Sequence, residues 1–161
     1  MPKEIRLKKG LTINLVGDAD KVYASVKAND RSHKYVVKPT DFHGLTPKLT
    51  VSTGDKVKAG SPLFFDKYNK RVNFCSPVSG EIIDIVRGQK RRILEIVINS
   101  DIEIAYESFL TSSANDLTRE QIIDRMLKSG VWPFVRQKPY DIVANPNDMP
   151  KAIFISSFKS E

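Results

Sequence analysis

The sequence predicts an α+β protein in which a β-rich domain over residues 1–100 precedes the beginning of an α/β domain over residues 101–161. Three observations carry that expectation. Short apolar runs, punctuated by turn residues about every 8–12 positions, fill the first domain, which is the pattern of a small barrel or sandwich rather than a parallel sheet. After Ser100 the apolar spacing becomes helical. A last apolar run, Ala152–Ile155, reads as a buried strand that the chain end cuts short, so the second domain is expected to be truncated.

In order along the chain, Ile5 and Leu7 alternate with charged residues, Gly10 breaks the run, and Ile13, Leu15 and Val16 resume it, so 4–16 reads as strand, turn, strand. Residues 17–33 are polar and read as loop, with Val22, Tyr23 and Ala24 as a possible short strand. Tyr35–Val37 is a further strand, closed by Lys38-Pro39 because proline donates nothing to a sheet ladder. Leu49–Val51 is next. Gly54-Asp55 and Ala59-Gly60 mark turns, and Leu63–Phe65 is a strongly apolar strand. The polar run Asp66–Arg71 reads as a turn, Val72–Cys75 as a strand, Glu81–Val86 and Ile93–Ile98 as two more, joined by a basic turn at 87–90.

The clearest helix begins at Thr118. Thr118 and Gln121 have the spacing of a capping box, and Ile122, Ile123, Met126, Leu127 and Val131 fall on one face. Gly130 supplies a C-terminal stop. The prolines at 133, 139, 146 and 150 make 131–150 read as mostly irregular.

Composition narrows the classes. No stretch approaches the roughly 20 apolar residues of a membrane span, and no apolar core follows the charged N-terminus, so a soluble, untargeted chain is expected. One cysteine, Cys75, allows no internal disulfide, which suits a reducing compartment. The +7 net charge, from 26 Lys+Arg against 19 Asp+Glu, favours anionic partners. Basic residues cluster at 6–9, 67–71 and 87–92, all beside turns, but neither an RNA-binding aromatic signature nor zinc-finger spacing accompanies them, so nucleic acid is not expected.

Several residues invite a chemical role. Lys67 sits between two hairpin signals, where a carrier domain would hold a swinging cofactor. Cys75, at an apolar strand end, reads as a small hydrophobe. His33 and His43 lack a ligand pattern around them, and neither a metal site nor a catalytic residue is expected. Trp132, Phe134 and Arg136 offer flat apolar walls and a donor, which is what a quinone pocket needs. Arg87, Lys90 and Arg92 are expected to face an acidic partner or anionic headgroups.

The segment Gly54-Asp55-Lys56-Val57-Lys58-Ala59-Gly60, with Leu63 and Ser76-Pro77-Val78-Ser79-Gly80, resembles the biotinyl and lipoyl carriers and their barrel-sandwich hybrid relatives. The neighbours Asp66 and Tyr68 keep only the Asp-Lys of a lipoyl context, and the methionines of a biotin context are absent. A biotin or lipoate carrier modified at Lys67 is therefore the rival expectation.

A resemblance over nearly the whole chain is carried by Ile13-Asn14-Leu15-Val16-Gly17, the 51–60 segment, Leu63–Lys67, Arg87–Arg91, Leu127–Pro133, Arg136–Pro139 and Lys151–Ile155. Together they are similar to the N-terminal portion of the A subunit of the bacterial sodium-translocating NADH:quinone oxidoreductases. That resemblance implies a peripheral subunit on the cytoplasmic face of the inner membrane, joined to the membrane through partners and above all through the membrane-embedded B subunit. It implies a complex that oxidises NADH, passes electrons through flavins and iron–sulfur centres in other subunits, reduces quinone and exports sodium. The fragment itself would hold no cofactor and catalyse nothing alone, and quinone would be a ligand of the intact subunit. In related flavin-binding subunits a glycine-rich loop follows the equivalent helix, whereas Ser129–Arg136 keeps one glycine and adds bulky residues and a proline, a poor phosphate cradle.

Overall fold

The computed structural model describes residues 33–155. The strands expected at 4–16 and 22–24 lie outside them. Within them, β1 (Lys34–Val37), β2 (Pro47–Leu49), β3 (Lys56–Val57), β4 (Pro62–Asp66), β5 (Asn73–Cys75), β6 (Gly80–Arg87) and β7 (Ile93–Ser100) form two antiparallel sheets. One runs β1-β7-β6-β3 and the other β2-β4-β5. Helix α1 (Arg119–Lys128) follows, then a 3-10 turn at Trp132–Phe134 and a small hairpin of β8 (Arg136–Gln137) and β9 (Ile142–Val143).

The inner faces of both sheets supply one core. Leu63 and Phe64 from β4 meet Ile82 from β6 and Ile96 and Ile98 from β7, all fully buried, and each such side chain contributes about 1.5–3 kcal/mol by leaving water. Strict alternation would send either Leu63 or Phe64 outward. A bulge between Pro62 and Phe64 shifts the register and lets both face inward. Phe64 stacks on Phe74 at 4.6 Å between ring centres, and Phe42 meets Phe74 edge-on at 4.6 Å.

Two glycines are demanded by close approach. At the start of β6 a Cβ on Gly80 would lie 2.0 Å from the Asn99 carbonyl oxygen across the β6–β7 ladder. Beyond α1, Gly130 has φ +73, and a Cβ there would lie 2.5 Å from Cys75 Sγ. The helix end therefore rests directly on β5. Leu127 and Trp132 join the same buried cluster as the sheets, which extends the core from the strands to the helical segment.

The capping box forms as expected. Gln121 N–H donates to Thr118 Oγ1 and Thr118 N–H donates back to Gln121 Oε1. Residues after β7 are also stitched to the strands. Asp101 N–H donates to the Ser79 carbonyl, buried Ser79 Oγ donates to Asp101 Oδ2 at 2.8 Å, and Ala105 N–H donates to Ser79 Oγ.

Two local expectations need correction. Strand β2 begins at Pro47, two residues earlier than the apolar run suggests, because a proline at a strand's first residue costs no ladder bond. Residues 131–150 are mostly irregular as expected, and the one hairpin among them keeps Pro139 in its connecting loop, where it removes no pairing donor. Ala152–Ile155 is not a strand; it is extended and exposed, with Phe154 93% accessible. No described strand pairs with it, and β propensity is realised only against a neighbouring strand and a packed face.

Candidate functional site

The turn after β4 is built by Asp66. Its carbonyl accepts from Asn69 N–H, its Oδ1 accepts from Tyr68 N–H, and Lys67 N–H donates to the Thr46 carbonyl at 2.9 Å. These bonds tie the turn to the residue just before β2. Lys67 is exposed, with Nζ 5.6 Å from the centre of the exposed Tyr68 ring. Its side chain lines a depression of about 390 Å³ together with Lys48, Arg91 and Arg92.

The β6–β7 connection supplies two of those cations. Arg92 N–H donates to the Gln89 carbonyl, and the central residues Lys90 (φ 53, ψ 31) and Arg91 (φ 59) both adopt left-handed backbone. This is the geometry of a type I′ turn, the connection whose twist suits a hairpin and which Asn-Gly normally fills. Here two long basic side chains occupy it.

Lys48, Lys67, Arg91 and Arg92 thus come from three separated segments and converge on one concavity. Leu45 and Ile93 also line it. A second depression of about 210 Å³, lined by Phe42 and His43, shares Leu45, Pro47, Arg92 and Ile93 with the first, so the two form one groove. No carboxylate lines either part. Among the described residues none of the four cations makes an ion pair; the pairs that exist join Lys38 to Glu95, Arg71 and Lys128 to Asp124, and Lys138 to Asp141.

Of the residues expected to face a partner, Arg92 lines the groove, while Arg87 and Lys90 are exposed beside it and do not line it. Lys48 and the convergence of the two loops escape a reading of the sequence. The one signal there is the exposed middle position of Pro47-Lys48-Leu49, too brief to distinguish from any strand edge.

Trp132, Phe134 and Arg136 are not brought to one cavity. Trp132 is buried and its Nε1–H donates to the Ala144 carbonyl at 2.7 Å. Phe134 is 75% exposed. Arg136 lies over the Phe42 ring at 5.2 Å and donates to the Asp141 carbonyl. Burial, with the nearby Glu107 charge, pushes the Cys75 thiol up to about 11, which leaves it protonated and unreactive near neutral pH. His33 and His43 are both exposed, and among the described residues no group of three or more His, Cys, Asp or Glu could hold a metal.

Two sheets closed over one core, with glycine-marked turns and a helical segment seated on β5, define a barrel-sandwich hybrid followed by α/β structure. A family model described as the NqrA N-terminal barrel-sandwich hybrid domain matches residues 5–101, and one described as the NqrA second alpha/beta domain matches residues 117–161. The chain belongs to this family, that of the A subunits of the sodium-translocating NADH-quinone reductases. It is 33% identical over 159 residues to the A subunit of the Na(+)-translocating NADH-quinone reductase of Yersinia pseudotuberculosis, covering 98% of this chain and 35% of the relative. The corresponding subunits of Tolumonas auensis and Pseudomonas aeruginosa are 35% identical over 156 residues and 30% over 159. They are covered to 34% and 35% of their lengths, against 95% and 98% of this chain. The chain thus spans about a third of the length of the curated relatives it matches. These matches favour the reductase-subunit reading over a carrier modified at Lys67.

Proposed function

We propose that this chain serves a sodium-translocating NADH:quinone reductase as part of its peripheral A subunit, supporting assembly and electron transfer to quinone rather than performing a redox step itself. The observation that carries this is the ordered match of two consecutive domains of one subunit family across nearly the whole chain. In this reading the protein sits on the cytoplasmic face of the inner membrane and docks on the membrane-embedded B subunit, while NADH, flavins and iron–sulfur centres belong to other subunits. No described helix is long and apolar enough to cross a membrane, which agrees with attachment through partners. Phe134, exposed beside the buried Trp132, is the surface ring offered to quinone or to the membrane-embedded partner.

Deleting the gene in its host and assaying sodium-stimulated NADH:quinone reduction in membranes tests the reading. Loss of activity, together with loss of co-purifying subunits, is expected; unchanged activity overturns it. The intact mass of the native protein is expected to be unmodified, and an added biotin or lipoate on Lys67 would return the carrier reading.

A further inference from the structure

We propose that the groove between the start of β2 and the β6–β7 tip receives an acidic segment of a partner protein. Carboxylates of that segment pair with Lys48, Lys67, Arg91 and Arg92, and an apolar side chain between them meets Leu45 and Ile93. The inference deepens the docking role proposed above and rests on it for the partner's place in the complex.

Three observations converge on it. Four cations from three segments line one concavity with no lining carboxylate, so the site presents positive charge alone. The apolar residues that line it beside them, Leu45, Pro47 and Ile93, ask for more than charge, because a bare phosphate would leave them wet. Arg91 reaches this position from left-handed backbone that is unfavourable for a non-glycine residue, so the tip forgoes stability to keep a cation there.

The apolar lining separates the two anionic partners. A bilayer offers headgroup charge at its surface, whereas Leu45, Pro47 and Ile93 line this open depression beside the cations. A protein segment that alternates acidic and apolar side chains can enter it.

The test uses the full chain and a fluorescently labelled peptide of alternating Glu and Leu, read by anisotropy at low and physiological salt. Binding is expected, weakened by added salt as charge-guided docking requires. The pairs Arg91→Glu/Arg92→Glu and Lys48→Glu/Lys67→Glu should each weaken it by about tenfold or more. Phosphatidylglycerol vesicles should not displace the peptide. Unchanged binding by both double variants overturns the proposal, as does displacement by vesicles or preference for an oligonucleotide. Arg91→Gly guards against misfolding by the reversal variants: it should raise the melting temperature while lowering peptide affinity, and a rise with unchanged affinity also overturns the proposal. If peptide binding holds but the reductase subunits do not co-purify, the docking role fails and the groove stands. If they co-purify while the peptide is ignored, the groove fails alone.

Discussion

Two of the places that adopt left-handed backbone do so for opposite reasons. At the end of α1, Gly130 does so with no side chain to strain, and its bare Cα lets the helix settle on Cys75. At the β6–β7 tip, Lys90 and Arg91 adopt the same conformation with long exposed side chains, where Asn-Gly would form the turn at less cost. The first is the least costly solution to a packing problem. The second solves no packing problem, and its product is a cation at the lip of a basic groove. Strain kept at an exposed turn points to binding, whereas glycine kept at a buried joint points to stability.

That contrast breaks first at the glycines. Gly80→Ala is expected to have the largest effect, because the obstructing atom is a backbone oxygen at 2.0 Å that no rotamer can move. A loss of about 4 kcal/mol or more, or failure to fold, should appear in urea titration; a loss under about 1 kcal/mol would show that the start of β6 is free to shift. Gly130→Ala comes second, at about 2–3 kcal/mol, combining left-handed strain with a clash against Cys75 Sγ. Because the nearest obstructing atom is Sγ, Gly130→Ala/Cys75→Ala should recover part of the loss, leaving the backbone cost of about 1 kcal/mol and the 2.8 Å approach to the Cβ of residue 75. A strictly additive double mutant would mean that the helix end does not rest on β5.

The hairpin tip should respond with the opposite sign. Lys90→Asn/Arg91→Gly replaces strained residues with the pair the turn prefers and should stabilise the protein by about 1–2 kcal/mol, read as a higher urea midpoint at unchanged slope. A destabilised variant would show that the two side chains hold the tip together and would remove the argument from strain.

Much of this frame is legible in the sequence because it depends on local signals. The Thr118–Gln121 box, the Gly130 stop, the apolar run of 93–98 and the turn composition of 66–71 each act within a few residues, and each appears in the structure. Strand β3 is not legible, because two residues, Lys56 and Val57, are too few to show a period. Ala152–Ile155 has the composition of a buried core strand, yet composition cannot supply a neighbour. The groove is illegible for a different reason. Its cations are 19 residues apart from Lys48 to Lys67 and 24 from Lys67 to Arg91; the pairing of β2 with β4 joins the first two, and only the packing of the two sheets over one core brings the β6–β7 tip to them. Trp132, Phe134 and Arg136 show the reverse relation, since neighbours in sequence are placed in the core, toward solvent and over the face of Phe42.

The smallest expected effect tests the same joint between α1 and the strands from its exposed side. Asp124 accepts from Lys128 at 2.8 Å and lies 3.9 Å from Arg71 in the turn after β4, so a single carboxylate links helix and sheet a short way from the Gly130 contact. The Lys128 hydrogen bond, with the charges of Lys128 and Arg71, holds its pKa below the usual carboxylate range. Since that pKa is lower folded than unfolded, its stabilisation is complete above the unfolded value and is lost as pH falls through the folded one. Asp124→Asn should therefore lower the melting temperature slightly at neutral pH and leave it unchanged at pH values below the folded pKa, where wild type has already lost the contact. Solvent and salt screen all three charges, so raising the ionic strength at neutral pH should shrink the difference as well. A deficit that persists at acid pH and high salt would assign Asp124 a packing role, and would make the exposed side of this joint as structural as the glycine beneath it.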